Sequence, residues 1–138
     1  MREIVFRGKW TYNGEWKYGI WLPVTKTIFM EKELGGRYSA WVVDEMSVGE
    51  CTWVKDKNGN MIFENDYVKS VHPSGEVRYG EVRFHSGAFV ITYCTGDGFA
   101  DERFVVNDVR GPDYFVIGDR TMGAFDELVR KDKLNGSE

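Results

Sequence analysis

The fold is decided by residues 47–71, SVGECTWVKDKNGNMIFENDYVKSV. At the centre of this stretch lies Asn58-Gly59, the preferred pair for a two-residue type I′ hairpin turn, in which both central residues take positive φ. β-Branched and aromatic residues on either side of the pair predict strands over residues 51–54 and 61–63. The pattern therefore predicts a β-hairpin near the middle of the chain.

A second tight turn is predicted at residues 64–66. Its middle residue is Asn65, and asparagine is among the non-glycine residues that best tolerate the left-handed conformation. Residues 67–71 then alternate between polar and apolar side chains, as a half-buried strand does. Two tight turns around one short strand are typical of the start of a small antiparallel barrel.

The rest of the chain is also dominated by strand signals. Of its 138 residues, 42% are hydrophobic and 15% aromatic, which is enough for a packed interior rich in strands. Only the C-terminal part has helical spacing, with Phe125, Leu128 and Val129 at i, i+3 and i+4 of a helix predicted over residues 122–133. Further strands are predicted over residues 4–10, 15–22, 24–30, 38–43, 77–84, 88–94, 104–106 and 114–118, with an exit loop at residues 44–47 and turns at residues 31–36 and 95–98.

These elements predict a mainly β fold, a small antiparallel SH3-like barrel with an additional N-terminal strand region and one short C-terminal helix. Residues 1–50 form the N-terminal antiparallel β region in this prediction. Residues 51–118 form the SH3-like barrel, which shares or adjoins the same core. Residues 119–138 form the short helix and a frayed tail.

The net charge and the hydropathy of the sequence limit where the protein is located and which classes of partner it binds. The net charge is −4, and no part of the chain has the density of Lys and Arg that a nucleic-acid-binding footprint requires. No apolar run approaches the ~18 residues needed to span a bilayer, and the first residues lack a stretch of signal-peptide length. We therefore expect a soluble protein that is made in the cytoplasm and does not contact membranes.

No set of residues has the spacing of a catalytic or metal site. The chain shows no nucleophile elbow, P-loop or dinucleotide-binding fingerprint, so we predict no catalytic residue, no metal, no cofactor and no enzyme activity. The two cysteines are expected to be buried reduced thiols. Weak alternatives are a metal site built from Cys51, Cys94, His72 and His85, and a cation bound by a loop that carries Asp97, Asp101 and Glu102.

The tryptophans leave two interpretations open. With the lysines between them they are able to form a stacking platform for single-stranded nucleic acid, but tryptophans on strands of a small β-protein more often fill the core or an oligomer interface. The tryptophans are Trp10, Trp16, Trp21, Trp41 and Trp53, and the interleaved lysines are Lys9, Lys17 and Lys55. The candidate binding surface consists of Trp53, Lys55, Lys57, Arg78 and Arg83.

Several short motifs, in the same order along residues 2–118, resemble the YopX family of phage and prophage proteins. The motifs are REIVFRGK at 2–9, GEWKYG at 14–19, VG at 48–49, KDKNG at 55–59, IFENDYV at 62–68, GEV at 80–82 and YFVIG at 114–118. The chain departs from the family pattern at residues 50–53, at Asn65, where the family has glycine, and after Gly118, where an acidic Asn-Pro ending is missing.

The resemblance implies a phage-encoded or prophage-encoded protein with a largely β fold, but it implies no established activity. Two functions are therefore carried forward. The first is a non-catalytic module that binds itself, as a homo-oligomer, and an unknown host or phage protein. The second is a nucleic-acid-binding module that uses an SH3-like barrel, a weaker hypothesis because it rests on fold analogy.

Overall fold

The computed structural model describes residues 3–33, 37–95, 97–106 and 109–135. Within them, ten antiparallel strands precede one helix, so the predicted fold class, mainly β with a short C-terminal helix, is confirmed. The elements are β1 (Phe6–Trp10), β2 (Trp16–Leu22), β3 (Thr27–Glu33), β4 (Arg37–Lys55), β5 (Met61–Phe63), β6 (Asp66–Val71), β7 (Val77–His85), β8 (Ala88–Thr95), β9 (Gly98–Arg103), β10 (Asp113–Asp119) and α1 (Phe125–Asn135). Of the turn predicted at residues 31–36, residues 31–33 instead continue strand β3. Residues 34–36 and the tail after residue 135 lie outside the described residues.

The chain divides into two compact units, Met1–Cys51 and Thr52–Glu138. In the first unit β1 pairs with both β2 and β4, and β3 lies between β2 and β4, so four strands close into a small barrel. Ile28 and Val43 are buried inside it. The backbones approach closely at Gly19, where an added Cβ would lie 2.2 Å from the carbonyl oxygen of Phe29, so only glycine fits.

Strand β4 is much longer than predicted. The expected exit loop at residues 44–47 is wrong, because these residues form a bulge within one continuous strand. The register between β1 and β4 shifts after the Arg7–Gly49 pair, and the hydroxyl of Ser47 accepts the backbone N–H of Lys9 at 2.7 Å. The polar side chains at residues 44–47 favour a loop in the sequence. In the structure, the Ser47 hydroxyl instead accepts a backbone N–H that the bulge leaves without a partner in the strand ladder.

In the second unit five strands form an antiparallel sheet in the order β10-β6-β7-β8-β9, and β5 pairs with the end of β4. One face of this sheet covers the main core, and α1 packs on the other face. The core consists of Ile62, Val68, Val82, Ile91, Tyr93 and Tyr114. On the helix side, Tyr67 meets Phe125 edge to face at 5.2 Å, and Leu128 is buried as the helical spacing predicts.

Four boundaries differ from the predictions. Strand β3 starts at Thr27 rather than at residue 24, because residues 23–26 form a turn in which Lys26 has a φ of 55°. Strand β9 was not predicted, and its first residue, Gly98, falls in the turn predicted at residues 95–98. Residues 104–106 were predicted as a strand but lie outside any strand. Helix α1 begins at Phe125 instead of residue 122, after a turn closed by Asp119. Among the described residues, no helix is long and apolar enough to cross a bilayer.

The central hairpin forms as predicted, but its turn type was predicted wrongly. Gly59 has a φ of 86°, whereas Asn58 does not belong to the described residues with positive φ. The N–H of Gly59 donates to the carbonyl of Asp56, and the N–H of Asp56 donates to the carbonyl of Asn60, which is the pattern of a type I turn followed by a left-handed glycine. The left-handed conformation predicted for Asn65 is confirmed, with a φ of 77°.

The contact between α1 and β7 makes stability depend on pH in the alkaline range. Tyr79 donates its hydroxyl to Asp132 at 2.9 Å, and burial, followed by the hydrogen bond to Asp132, raises the pKa of Tyr79 from its ordinary 10.0 to about 12. Because the folded pKa is higher, this contribution is fully present below pH 10 and is lost as the pH rises through 12. We expect Tyr79 to titrate near pH 12 by NMR, and Asp132→Asn to lower this pKa. An ordinary pKa in the wild-type protein would contradict the contact.

Candidate functional site

An open groove of about 1330 Å³ lies on the second unit. The hairpin side of the groove presents Trp53, Lys55 and Lys57, so three of the five residues predicted as a binding surface come together there. The other residues that line it are Val54, Asp56, Met61, Val71, His72, Pro73, Val105, Val106, Val109, Gly111, Pro112, Asp113 and Tyr114. The groove is therefore mostly apolar, with two lysines at one edge.

A buried carboxylate holds the hairpin side in place. Asp56 is 6% exposed, and its Oδ1 accepts the backbone N–H groups of Asn58 at 3.0 Å and Asn60 at 2.8 Å. Its Oδ2 accepts the N–H of Val116 on β10 at 3.0 Å. Beside this contact, the N–H of Lys57 donates to the carbonyl of Tyr114 at 2.8 Å. The hairpin is thus fixed against β10.

Tyr114 positions the opposite side of the groove. Its hydroxyl accepts the N–H of Val105 at 2.8 Å, and its ring meets Phe104 edge to face at 5.0 Å. Burial raises the pKa of Tyr114, so the phenol stays protonated. Residues 104–106 are therefore held by a tyrosine and not by a sheet ladder, which leaves Val105 and Val106 exposed toward solvent.

Trp53 has an unusual backbone conformation. Its φ is 62°, and of the four described non-glycine residues with positive φ it is the one that lies in a strand; Lys26, Asn65 and Ser86 lie in turns. The left-handed region is disfavoured by about 1–2 kcal/mol for residues with a Cβ. The hydroxyl of Thr52 accepts the N–H of Val54 at 3.1 Å and donates to the carbonyl of Ile62 at 2.7 Å, and these bonds hold the kink around Trp53.

The two lysines of the groove differ in their surroundings. Lys57 lies 3.8 Å from Asp113, and both side chains are more than half exposed. Lys55 is exposed, and within the described part of the chain it has no ion pair. The lysine edge therefore offers positive charge that a bound anion can reach.

The two predicted arginines do not contribute to this groove. Arg78 and Arg83 lie on β7 five residues apart, so they project from opposite faces of the sheet. Arg78 pairs with Glu76 and Glu102, and Arg83 pairs with Glu81 at 2.8 Å. Glu76 and Glu81 each lie two residues from their arginine, so the sequence carried a signal for these pairs, whereas Glu102 is distant in sequence and lies on β9.

The acidic residues and histidines do not form a metal site. Asp101 and Glu102 lie on β9 and not in a loop, and as successive strand residues they face opposite sides. The carboxylate of Asp101 contacts Nδ1 of His85 at 2.7 Å and Thr92 at 2.8 Å, and the hydrogen bond with His85 is the main reason why the pKa of Asp101 is lowered. Among the described residues, no three His, Cys, Asp or Glu side chains are grouped as metal ligands would be.

The cysteines differ from each other. Cys51 is buried as expected, but Cys94 is exposed, so the prediction of two buried thiols is wrong for Cys94. The reason is the alternation of β8: Tyr93 points into the core, and its neighbour Cys94 therefore points away from it.

The remaining tryptophans belong to the first unit, where they are half-buried, and three of them, Trp10, Trp16 and Trp41, contact cations of the same barrel. The ammonium of Lys17 lies 4.7 Å from the Trp10 ring centre and 4.8 Å from that of Trp41. The guanidinium of Arg7 lies 4.0 Å from the ring centre of Trp16. These distances are typical of cation–π pairs, so the cations between the tryptophans already contact aromatic rings.

The outer face of this barrel carries a group of exposed apolar side chains, a feature that sequence reasoning missed. The strand register places alternate residues of β2, β3 and β4 on this face. The exposed members are Tyr18, Ile20, Leu22, Tyr38 and Val42, which we call the outer apolar face, and their exposed fractions run from 40% to 61%. Phe29 lies among them and stacks on Tyr38 at 5.0 Å. The alternation of Tyr18, Ile20 and Leu22 was a signal, but it does not say which face is inside.

The comparisons with known proteins give little further information. No protein-family model matches the chain, and no curated protein matches it. One solved structure with similarity to it is protein EF1440 from Enterococcus faecalis, with a TM-score of 0.42 and 20% sequence identity, covering 86% of this chain and 94% of that one. A similarity this distant carries no information about function.

The strain at Trp53 gives a test by substitution. A φ of 62° raises the conformational free energy of alanine but not of glycine. We therefore expect the free energy of unfolding of Trp53→Gly, measured by chemical denaturation, to exceed that of Trp53→Ala by about 1 kcal/mol. Lys55, two residues along the same strand, is the matched control, and there alanine should be the more stable residue by roughly 0.5–1 kcal/mol. The same order of stability at both positions would contradict the left-handed conformation of Trp53.

Proposed function

We propose that this protein is a non-catalytic module that self-associates through the outer apolar face of its N-terminal barrel. The observation that carries the proposal is the clustering of five exposed large apolar side chains on one face of one sheet. Contiguous apolar surface of this kind marks interaction sites in folded proteins.

The size of the face suits an interface. Aromatic side chains carry about 150–250 Å² each and aliphatic ones somewhat less, so two tyrosines and three aliphatic residues, each roughly half exposed, present on the order of 400 Å². Stable interfaces bury about 800 Å² per partner, of which somewhat more than half is apolar. The outer apolar face with a polar rim is therefore large enough for a dimer.

Charge does not oppose contact between two copies of the first unit. Residues 1–51 contain seven Lys and Arg and seven Asp and Glu, so this unit has no net charge. Like-charge repulsion between two such surfaces is therefore small.

The resemblance to the YopX family extends this proposal. It supports a phage or prophage protein that works in the cytoplasm of a bacterial host and also engages a host or phage protein. The SH3-like character of residues 51–118 remains part of the proposal and rests on the succession of turns and strands there.

Nucleic-acid binding has less support. Residues 52–138 contain eleven Lys and Arg against fifteen Asp and Glu, a net charge of −4, and Arg78 and Arg83 are paired with carboxylates. A polyanion is repelled by such a net charge.

The proposal is tested by measuring the solution mass with light scattering at several concentrations. We expect the wild-type protein to be an oligomer and the double variant Ile20→Glu/Val42→Glu to be a monomer with unchanged circular dichroism, because both side chains are more than half exposed. The matched control is Val77→Glu, which places a charge on an exposed valine of the second unit and should leave the mass unchanged. A monomeric wild-type protein would contradict self-association.

A further inference from the structure

We propose that the groove beside Trp53 binds a short extended peptide segment that is rich in apolar residues and carries an acidic side chain. This inference goes beyond self-association, because the groove belongs to the second unit and shares no residue with the outer apolar face.

The dimensions of the groove favour a peptide over a small molecule. Pockets for small ligands have volumes of roughly 300–1,000 Å³ and enclose most of the ligand. The groove is larger, at about 1330 Å³, and is open to solvent along the hairpin. A segment of several residues in extended conformation fills such a space, whereas a small molecule would leave much of it empty.

The exposed apolar residues that line the groove indicate which apolar side chains its ligand carries. Trp53, Val105, Val106 and Val109 all line the groove and are all exposed, with Trp53 at 41% and Val106 at 51%. A ligand that covers them removes apolar surface from water, which is the dominant favourable contribution to most associations. A tryptophan ring that stands beside prolines and valines suits aliphatic or proline side chains.

The two lysines of the groove indicate that the ligand carries a negatively charged side chain. Lys55 and Lys57 are adjacent to the apolar lining, and among the described residues the carboxylate that pairs with them is that of Asp113, 3.8 Å from Lys57. The other acidic group of this lining, Asp56, is buried and occupied by backbone N–H groups. The lysine edge is therefore complementary to one or two carboxylates of a ligand, and such complementarity contributes to specificity.

A peptide explains the groove better than single-stranded nucleic acid does. Stacking platforms for nucleic acid present several aromatic rings along a positive groove, whereas this lining presents one exposed tryptophan and three valines in a unit of net charge −4. One carboxylate near two lysines is attracted locally, but a phosphate chain would also meet the acidic remainder of the unit.

The conformation of Trp53 is consistent with a binding residue. Strained backbone conformations persist where the surrounding structure holds them, and they concentrate at ligand contacts. Here the Thr52 hydroxyl fixes the kink, and the kink places an exposed indole at the groove.

The test uses the full chain as bait in a selection from a displayed library of random peptides. We expect the enriched clones to combine aliphatic residues or proline with Asp or Glu. As synthetic labelled peptides, they should bind the wild-type protein in a fluorescence anisotropy titration and lose at least about thirtyfold in affinity toward Trp53→Ala, as a central aromatic contact does. Replacing Lys55 and Lys57 together by alanine should weaken binding about threefold to tenfold, and added salt should reduce that difference.

Two controls separate the groove from the rest of the surface. Phe84→Ala removes another exposed aromatic ring of the second unit, and Lys131→Ala removes an exposed lysine of α1; neither residue lines the groove, and both variants should bind like the wild type. Trp53→Gly is a second groove variant, which removes the indole and also relieves the backbone strain. If its circular dichroism is unchanged, loss of peptide binding by this variant is not due to misfolding.

Three results would overturn the proposal. The first is the absence of clones enriched over a Trp53→Ala bait. The second is equal affinity of the enriched peptides for the wild-type protein and both Trp53 variants. The third is salt-sensitive binding of a single-stranded oligothymidylate that displaces the peptides and depends on Lys55 and Lys57, which would assign the groove to nucleic acid.

Discussion

The second unit depends on one buried carboxylate. Asp56 is almost fully removed from solvent, and a buried charge is tolerated only when hydrogen bonds satisfy it. Three backbone N–H groups do so, two in the hairpin and one from Val116 on β10, sixty residues later. This requirement fixes the turn geometry and the position of the hairpin on β10 together. The groove follows from it, because its two sides are the hairpin and the segment that Tyr114 holds next to β10.

The local parts of this arrangement were predictable from the sequence, and the long-range parts were not. The left-handed Asn65 and the buried Leu128 follow from turn preference and helical spacing, which act over a few residues. The choice between turn types at Asn58-Gly59 was missed because the preference of the pair was considered without the side chain of Asp56. Strand β9 was missed because Asp101 and Glu102 are poor strand formers, and their partners His85, Thr92 and Arg78 lie on β7 and β8. The candidate surface was located in part: Trp53, Lys55 and Lys57 meet, but Arg78 and Arg83 face opposite sides.

The two units present different kinds of surface. The outer apolar face of the first unit is rich in aromatic and aliphatic side chains and belongs to a unit without net charge, as suits contact with an identical surface. The groove of the second unit is concave, bordered by lysines, and belongs to an acidic unit, as suits a different and smaller partner. The two proposals together predict an assembly that presents several grooves, which would increase its avidity for a partner with repeated motifs.

The most direct test of this account is amide hydrogen exchange, followed by NMR, in Asp56→Ala, with Asp113→Ala as the control for loss of an exposed carboxylate from the same groove. Removal of the buried acceptor leaves the N–H groups of Asn60 and Val116 without their partner. A hydrogen bond to a charged group contributes about 1.5–3 kcal/mol, so both amides should exchange about tenfold to a hundredfold faster than in the wild type, while they remain protected in Asp113→Ala. Unchanged protection of Asn60 and Val116 in Asp56→Ala would show that the hairpin is held on β10 by other contacts and would contradict the central role of Asp56.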